Sequence, residues 1–234
     1  MVNLEINNGQ KSKVAFFKSK KFFIILAIFI IGLGISGYFI REHNLEVEAK
    51  EQAEKVRKQE AKYIKVLNDT TSNIERLSGN LLKISAMYSE VWNETIDHDL
   101  YLSGLAKYLG VEESSLIAAA PSGKIKSNFR GKYIARGDFN TALLTVKGVW
   151  ESVGTIDDIS KAQSDIASTV KGLNNPPEKY KDVYEEVLNY YSTYEKLLGL
   201  AVSPSGSYLT YTRDINTLSS ELESQYSKIQ VVMP

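Results

Sequence analysis

Apolar and polar positions follow three regimes along this chain, and each predicts a different element. Phe22 to Ile40 (FFIILAIFIIGLGISGYFI) is a run of 19 residues without a charge. As a helix it reaches about 28 Å, the thickness of a hydrocarbon core, and a helix satisfies its own amides inside lipid. Residues 41–62 then carry dense charge and good helix formers but few large apolar side chains, which predicts a solvated helical stalk. Val56 and Ala49 offer only a thin seam there for a coiled coil with a second copy. From Ile64 the apolar positions become periodic. Ile64, Leu67, Ile74, Leu77, Leu81, Ile84, Tyr88 and Val91 fall in steps of three, four and seven, one face of an amphipathic helix to about Asp97.

The same periodicity, weakened by Gly104 and Gly110, suggests a second piece through Leu100, Leu105, Tyr108 and Leu109. Pro121 to Gly137 contains Pro121, Gly123, Gly131 and Gly137, so it reads as a loop or a pair of short irregular strands. Asp138 suits a helix N-cap. The helix behind it is expected to run to Leu173, burying Phe139, Leu143, Val146, Val149, Trp150, Val153, Ile156 and Ile159. Gly148 and Gly154 are sites for a kink, and Thr155-Ile156-Asp157-Asp158 for a restart. Asn174-Asn175-Pro176-Pro177 makes a turn. Tyr180, Tyr184, Val187, Tyr191, Tyr194 and Leu198 then mark a helix face to about Ala201. After Ser203-Pro204-Ser205-Gly206, a last helix to about Ile229 shows Tyr211, Ile215, Leu218, Leu222, Gln225 and Ile229. Short turns make the last three helices antiparallel neighbours. The expected fold is all-α: a transmembrane helix, a stalk, and an antiparallel bundle with a basic loop, divided as 1–21, 22–40, 41–62 and 63–234.

Charge sets the orientation. Lys11, Lys13, Lys18, Lys20 and Lys21 precede the apolar run against Glu5 alone, while the far flank is mixed. This bias places the N-terminus in the cytoplasm and the C-terminus outside the cell membrane, as a single-pass signal-anchor. Small residues around Ser36 also fit a signal-peptidase site, but the run continues through Tyr38-Phe39-Ile40, longer than a signal peptide needs. Gly32-Leu33-Gly34-Ile35-Ser36-Gly37 matches a dinucleotide-binding spacing, yet lacks the strand and helix context that gives that spacing its chemistry. Gly32 and Ser36 serve better as a small-xxx-small pair for packing a second membrane helix in a homodimer.

Three short segments and two single positions resemble a known class of protein. Asn174-Asn175-Pro176-Pro177-Glu178-Lys179-Tyr180 and Ser203-Pro204-Ser205-Gly206-Ser207, with Met87, Trp92 and Asp138-Phe139-Asn140, are similar to uncharacterised single-pass anchored extracytoplasmic helical proteins of Gram-positive bacteria. The likeness covers roughly residues 60–234. It implies location and fold, and carries no activity with it.

The chain has no cysteine and two histidines, which removes thiol nucleophiles, disulfides and Cys-ligated zinc. No G-x-S-x-G, S-x-x-K, H-E-x-x-H or Walker pattern occurs. Glu90, Glu94 and His98, with Asp97 and Asp99 beside them, follow one helix side. Di-iron bundles need Glu-x-x-His pairs from two helices, so this group reads as a solvated acidic helix end. No catalytic, cofactor-binding or metal residue is assigned, and the chain is expected not to be an enzyme. Lys124, Lys126, Arg130, Lys132 and Arg136 occur with no acid between Glu113 and Asp138, interleaved with Phe129 and Tyr133. They are candidates for contact with an anionic polymer or lipid head groups, against the plainer reading of a solvated linker. Nucleic acid does not suit an exported, mildly acidic domain. Arg136-Gly137-Asp138 spells an adhesion tripeptide, but Asp138 already serves as a cap. The expected function is therefore a structural or interaction module of the cell envelope, contacting the bilayer and an envelope protein or anionic polymer. The rival is a ligand-sensing bundle that signals through a partner.

Overall fold

The computed structural model describes the backbone from Lys20 to Met233, and the side chains of His43 and residues 45–233. Seven α-helices are found among the described residues: α1 (Lys20–Asp97), α2 (Leu102–Leu109), α3 (Glu113–Ala119), α4 (Phe139–Ser152), α5 (Thr155–Gly172), α6 (Lys181–Val202) and α7 (Tyr208–Val232). Three short strands, β1 (Leu100–Tyr101), β2 (Lys126–Asn128) and β3 (Gly131–Ile134), interrupt an otherwise helical chain. The chain divides into two compact units, residues 1–60 and 61–234. The side chains of the expected span Phe22–Ile40, Gly32 and Ser36 included, lie outside the described residues, as does the tail before Lys20. Among the described residues no helix is long and apolar enough to cross a membrane.

In the first unit, residues 45–59 are exposed throughout, Leu45, Val47 and Val56 among them. Their charges pair along the helix, with Lys50 Nζ 2.8 Å from Glu46 Oε1 and Lys58 Nζ 2.7 Å from Glu54 Oε1. Such exposed pairs contribute a few tenths of a kcal/mol each, about 0.3–0.5.

The second unit is a helical bundle with one core. The part of α1 from Leu67 onward buries Leu67, Thr71, Ile74, Ser78, Leu81, Ser85, Tyr88, Trp92 and Thr95. These positions step by four and three, with Thr70, Ile84 and Val91 buried beside them, so one side of the helix faces the core along its length. Thr71 and Thr95 return their hydroxyl protons to Leu67 O (2.9 Å) and Val91 O (2.6 Å).

On α6 the buried face is Val183, Val187, Tyr190, Tyr194, Leu197 and Ala201. Tyr184, Tyr191 and Leu198, expected on the core side, are half-buried beside it. The helix has two adjacent apolar rows, and its neighbours select the one beginning at Val183. On α7 the expected Tyr211, Ile215, Leu218, Leu222 and Ile229 are buried, and Gln225 is half-buried.

The helix expected from Asp138 to Leu173 is two helices. α4 ends at Ser152, and Gly154 takes φ +81° before α5 restarts at Thr155. That backbone is open to glycine and strained for other residues. The break turns Val153 out to 61% exposure, against the expectation that it is buried. Asp138 caps α4 as expected, its Oδ1 accepting from Thr141 N at 3.3 Å. α3 was not anticipated from sequence, and β1 replaces the start of the second helical piece.

One aromatic cluster fills the end of the bundle where α1 stops. Tyr88 meets Trp150 edge-on at 4.8 Å, and Trp92 lies 5.8 Å from Tyr211 and 6.5 Å from Phe139. At the other end Tyr63 stacks on Tyr180 at 5.8 Å and donates to Leu173 O at 3.0 Å.

Candidate functional site

The basic segment forms a hairpin rather than a loop without order. β3 is central in a three-stranded antiparallel sheet of order β1-β3-β2. Leu100 opposes Ile134 and Tyr101 opposes Tyr133 on one side. Lys126 opposes Tyr133, Ser127 opposes Lys132 and Asn128 opposes Gly131 on the other. Side chains alternate across a strand, so Tyr101, Tyr133 and Lys126 share one face while Leu100, Ile134 and Lys132 share the other. Ile134 is fully buried and fastens that second face to the core.

Two bonds fix the sheet to the end of α1: Gly137 N donates to Thr95 O at 2.7 Å, and Arg136 N to Asp99 Oδ1 at 2.9 Å. At the far end Phe129 and Arg130 form a two-residue turn. Arg130 N donates to Asn128 Oδ1 at 2.8 Å, and Gly131 supplies φ +125°. Asn128 Nδ2 donates to Tyr101 Oη at 3.1 Å, and the Tyr101 and Tyr133 rings lie 5.6 Å apart. Phe129 is 93% exposed at the tip, with the Arg130 guanidinium carbon 5.3 Å from its ring centre.

The five expected cations fall into two groups. Lys124 and Arg136 stand at the base: Lys124 Nζ is 3.9 Å from Asp138 Oδ2, and the backbone N of Arg136 donates to Asp99 Oδ1. Lys126, Arg130 and Lys132 project nearer the tip, exposed and without a carboxylate partner among the described residues. Tyr101 and Asn128 join them. Tyr101 had only a weak signal, because it adjoins the hairpin through a pairing more than thirty residues distant.

Elsewhere the candidate chemistry disperses. Glu90 accepts from the Tyr108 hydroxyl, and with burial this pushes that phenol up to about 12. His98 is tied through its backbone N to Glu94 O at 3.2 Å. Among the described residues no group of three or more His, Asp or Glu side chains could hold a metal ion. Of the tyrosines of α6, Tyr190 and Tyr194 are 1% exposed and pack in the core, and Tyr194 also borders a groove. Two adjoining grooves of about 480 and 390 Å³ run between α1 and α5, sharing Arg76, Leu77 and Ala162.

No protein-family model, curated protein or solved structure matches this chain.

Proposed function

We propose that this protein is a membrane-anchored, extracytoplasmic helical module of the cell envelope that works by interaction rather than catalysis. One observation carries the reading: a 19-residue uncharged run preceded by five lysines and followed by a charged helical segment. A charge at the centre of such a span costs about 2.5–3.5 kcal/mol, and the run has none. The second unit, 61–234, has its own core and supports the role of an exported module. Gly32 and Ser36 supply a packing pair for a second anchor helix.

The absence of cysteine makes the topology directly testable. Ser205 is exposed in the α6–α7 turn. Ser205→Cys in the full chain should react with a membrane-impermeant maleimide on intact cells. The protein should also stay in the carbonate-washed membrane pellet at full size. Protection of that cysteine until the cells are lysed, or recovery of the full-length chain in the cytosol, overturns the reading.

A further inference from the structure

We infer that the β2–β3 hairpin is the binding element of this module, and that its ligand is a linear anionic polymer bearing phosphodiester or carboxylate groups. The inference rests on the anchored, extracytoplasmic reading above for where the polymer lies, but not for the binding itself.

Three features converge on it. The first is the distribution of charge. Lys126, Arg130 and Lys132 lie on both faces and the tip of a two-stranded ribbon, not around a cavity. A pocket for one small anion would gather its cations on a single point. Cations spread over a ribbon suit a chain that carries a charge at each repeat.

The second is the aromatic surface between those cations. Tyr101 and Tyr133 are paired on the face that holds Lys126, and Asn128 fixes the Tyr101 hydroxyl. Phe129 stands almost fully in water at the tip, where a phenyl ring gains nothing unless a partner covers it. The Arg130 guanidinium over that ring is held ready for an anion. Flat rings beside fixed cations fit a polymer whose repeat has both an apolar ring or polyol face and an acid.

The third is position. The hairpin is fastened to the C-terminal end of α1, at Thr95 and Asp99. Ala61, where the second unit begins, lies about 55 Å back along the same helix at 1.5 Å per residue. Within its own unit the hairpin therefore sits at the end remote from the residue that joins the stalk.

The test uses the full chain in nanodiscs of neutral lipid, with poly(glycerol phosphate) and polygalacturonate as immobilised probes. Three released counterions predict a salt slope of about −2 on a log–log plot, so affinity falls about 16-fold between 50 and 200 mM salt. Replacing Lys126, Arg130 and Lys132 together by Gln should weaken binding at least 10-fold at low salt and flatten the slope. Lys124→Gln should stay within about threefold of the parent, because that cation already faces Asp138. Phe129→Ser should weaken binding several-fold and leave the slope unchanged. All these side chains are exposed, so unchanged far-UV circular dichroism confirms folded variants.

Unaltered retention of the triple variant overturns the inference. So does binding to vesicles with 30% phosphatidylglycerol but to neither polymer, which would make the hairpin a lipid contact. Tighter binding to a single-stranded oligonucleotide than to either polymer overturns it as well. Because binding is measured on purified protein, its failure leaves the Ser205 labelling result standing. Failure of the labelling would leave the binding result standing.

Discussion

Tyr88 offers a sharp test of the core. Its side chain is fully buried, and its hydroxyl has no hydrogen-bond partner. Burial raises its pKa well above the ordinary phenol value, with Tyr211 and Glu151 adding to the effect. A hydroxyl buried without a partner forfeits its hydrogen bonds to water, a cost of about 1–3 kcal/mol. Tyr88→Phe removes that cost and keeps the edge-on contact with Trp150. The void left by one oxygen, roughly 15 Å³, returns only about 0.4 kcal/mol at ~24 cal/mol per Å³. The net expectation is a gain of about 1–2 kcal/mol, or roughly 2–6 °C in Tm for a unit of this size. Tyr63→Phe is the control: its hydroxyl donates to Leu173 O at 3.0 Å, so the same change there should cost about 1 kcal/mol. Thermal and urea unfolding of the full chain in mild detergent measures both. A loss of 1 kcal/mol or more in Tyr88→Phe would refute the reasoning, because it would mean the hydroxyl is satisfied.

Three further expectations follow from the packing. Gly148 sits where α4 crosses α3, and a Cβ there would lie 3.0 Å from Ala119 O and 3.1 Å from Ala119 Cβ. Gly148→Val should therefore destabilise by about 1–3 kcal/mol, whereas Gly79→Ala, with open space around it, should stabilise α1 by up to about 1 kcal/mol; equal effects in urea melts would contradict the close approach. Leu81, 2% exposed on the α1 seam, should cost about 2–5 kcal/mol when cut to Ala, and a loss below 1 kcal/mol would mean the seam is loosely packed. Burial holds the phenols of Tyr63, Tyr108 and Tyr211 up at about 12, above the unfolded value near 10. Their raised values contribute stability that is complete below pH 10 and lost as pH rises from about 10 through 12. Tyrosinate absorbance from these three, read as the difference from each Tyr→Phe variant, should thus appear together with loss of helical signal, and titration of the three near pH 10 in a still-folded chain would refute it.

How much of this was legible in the sequence varies by element. The face of α7 could be read directly because it has a single apolar stripe, whereas on α1 Leu67, Ile74, Leu81, Ile84, Tyr88 and Val91 were legible but the buried Thr71, Ser78, Ser85 and Thr95 were not, since small polar side chains give no apolar signal. On α6 the rows beginning at Tyr180 and at Val183 are both apolar, so periodicity alone could not choose between them. The glycines of 121–137 admitted a pair of short strands, which β2 and β3 form, but strands of two to four residues are too short for an alternation to fix their pairing. β1 in particular exists only because Leu100 reaches Ile134 across the chain. The basic residues were evident as a run, but the separation of a tip group from Lys124, which faces Asp138, depended on where the strands and Asp138 came to rest.

Local pattern determined what depends on neighbours a few residues away. The helical class, the cap at Asp138, the glycine able to break α4 from α5, and the charge bias around the uncharged run are of this kind. Tertiary structure decided what depends on residues distant in the chain. It selected the buried row of α6, closed the hairpin against β1, left the Tyr88 hydroxyl alone in the core and set Phe129 out in water. The physical reason is range. Backbone propensity and periodicity act over a helical turn, while burial and charge pairing are settled only when separate elements meet.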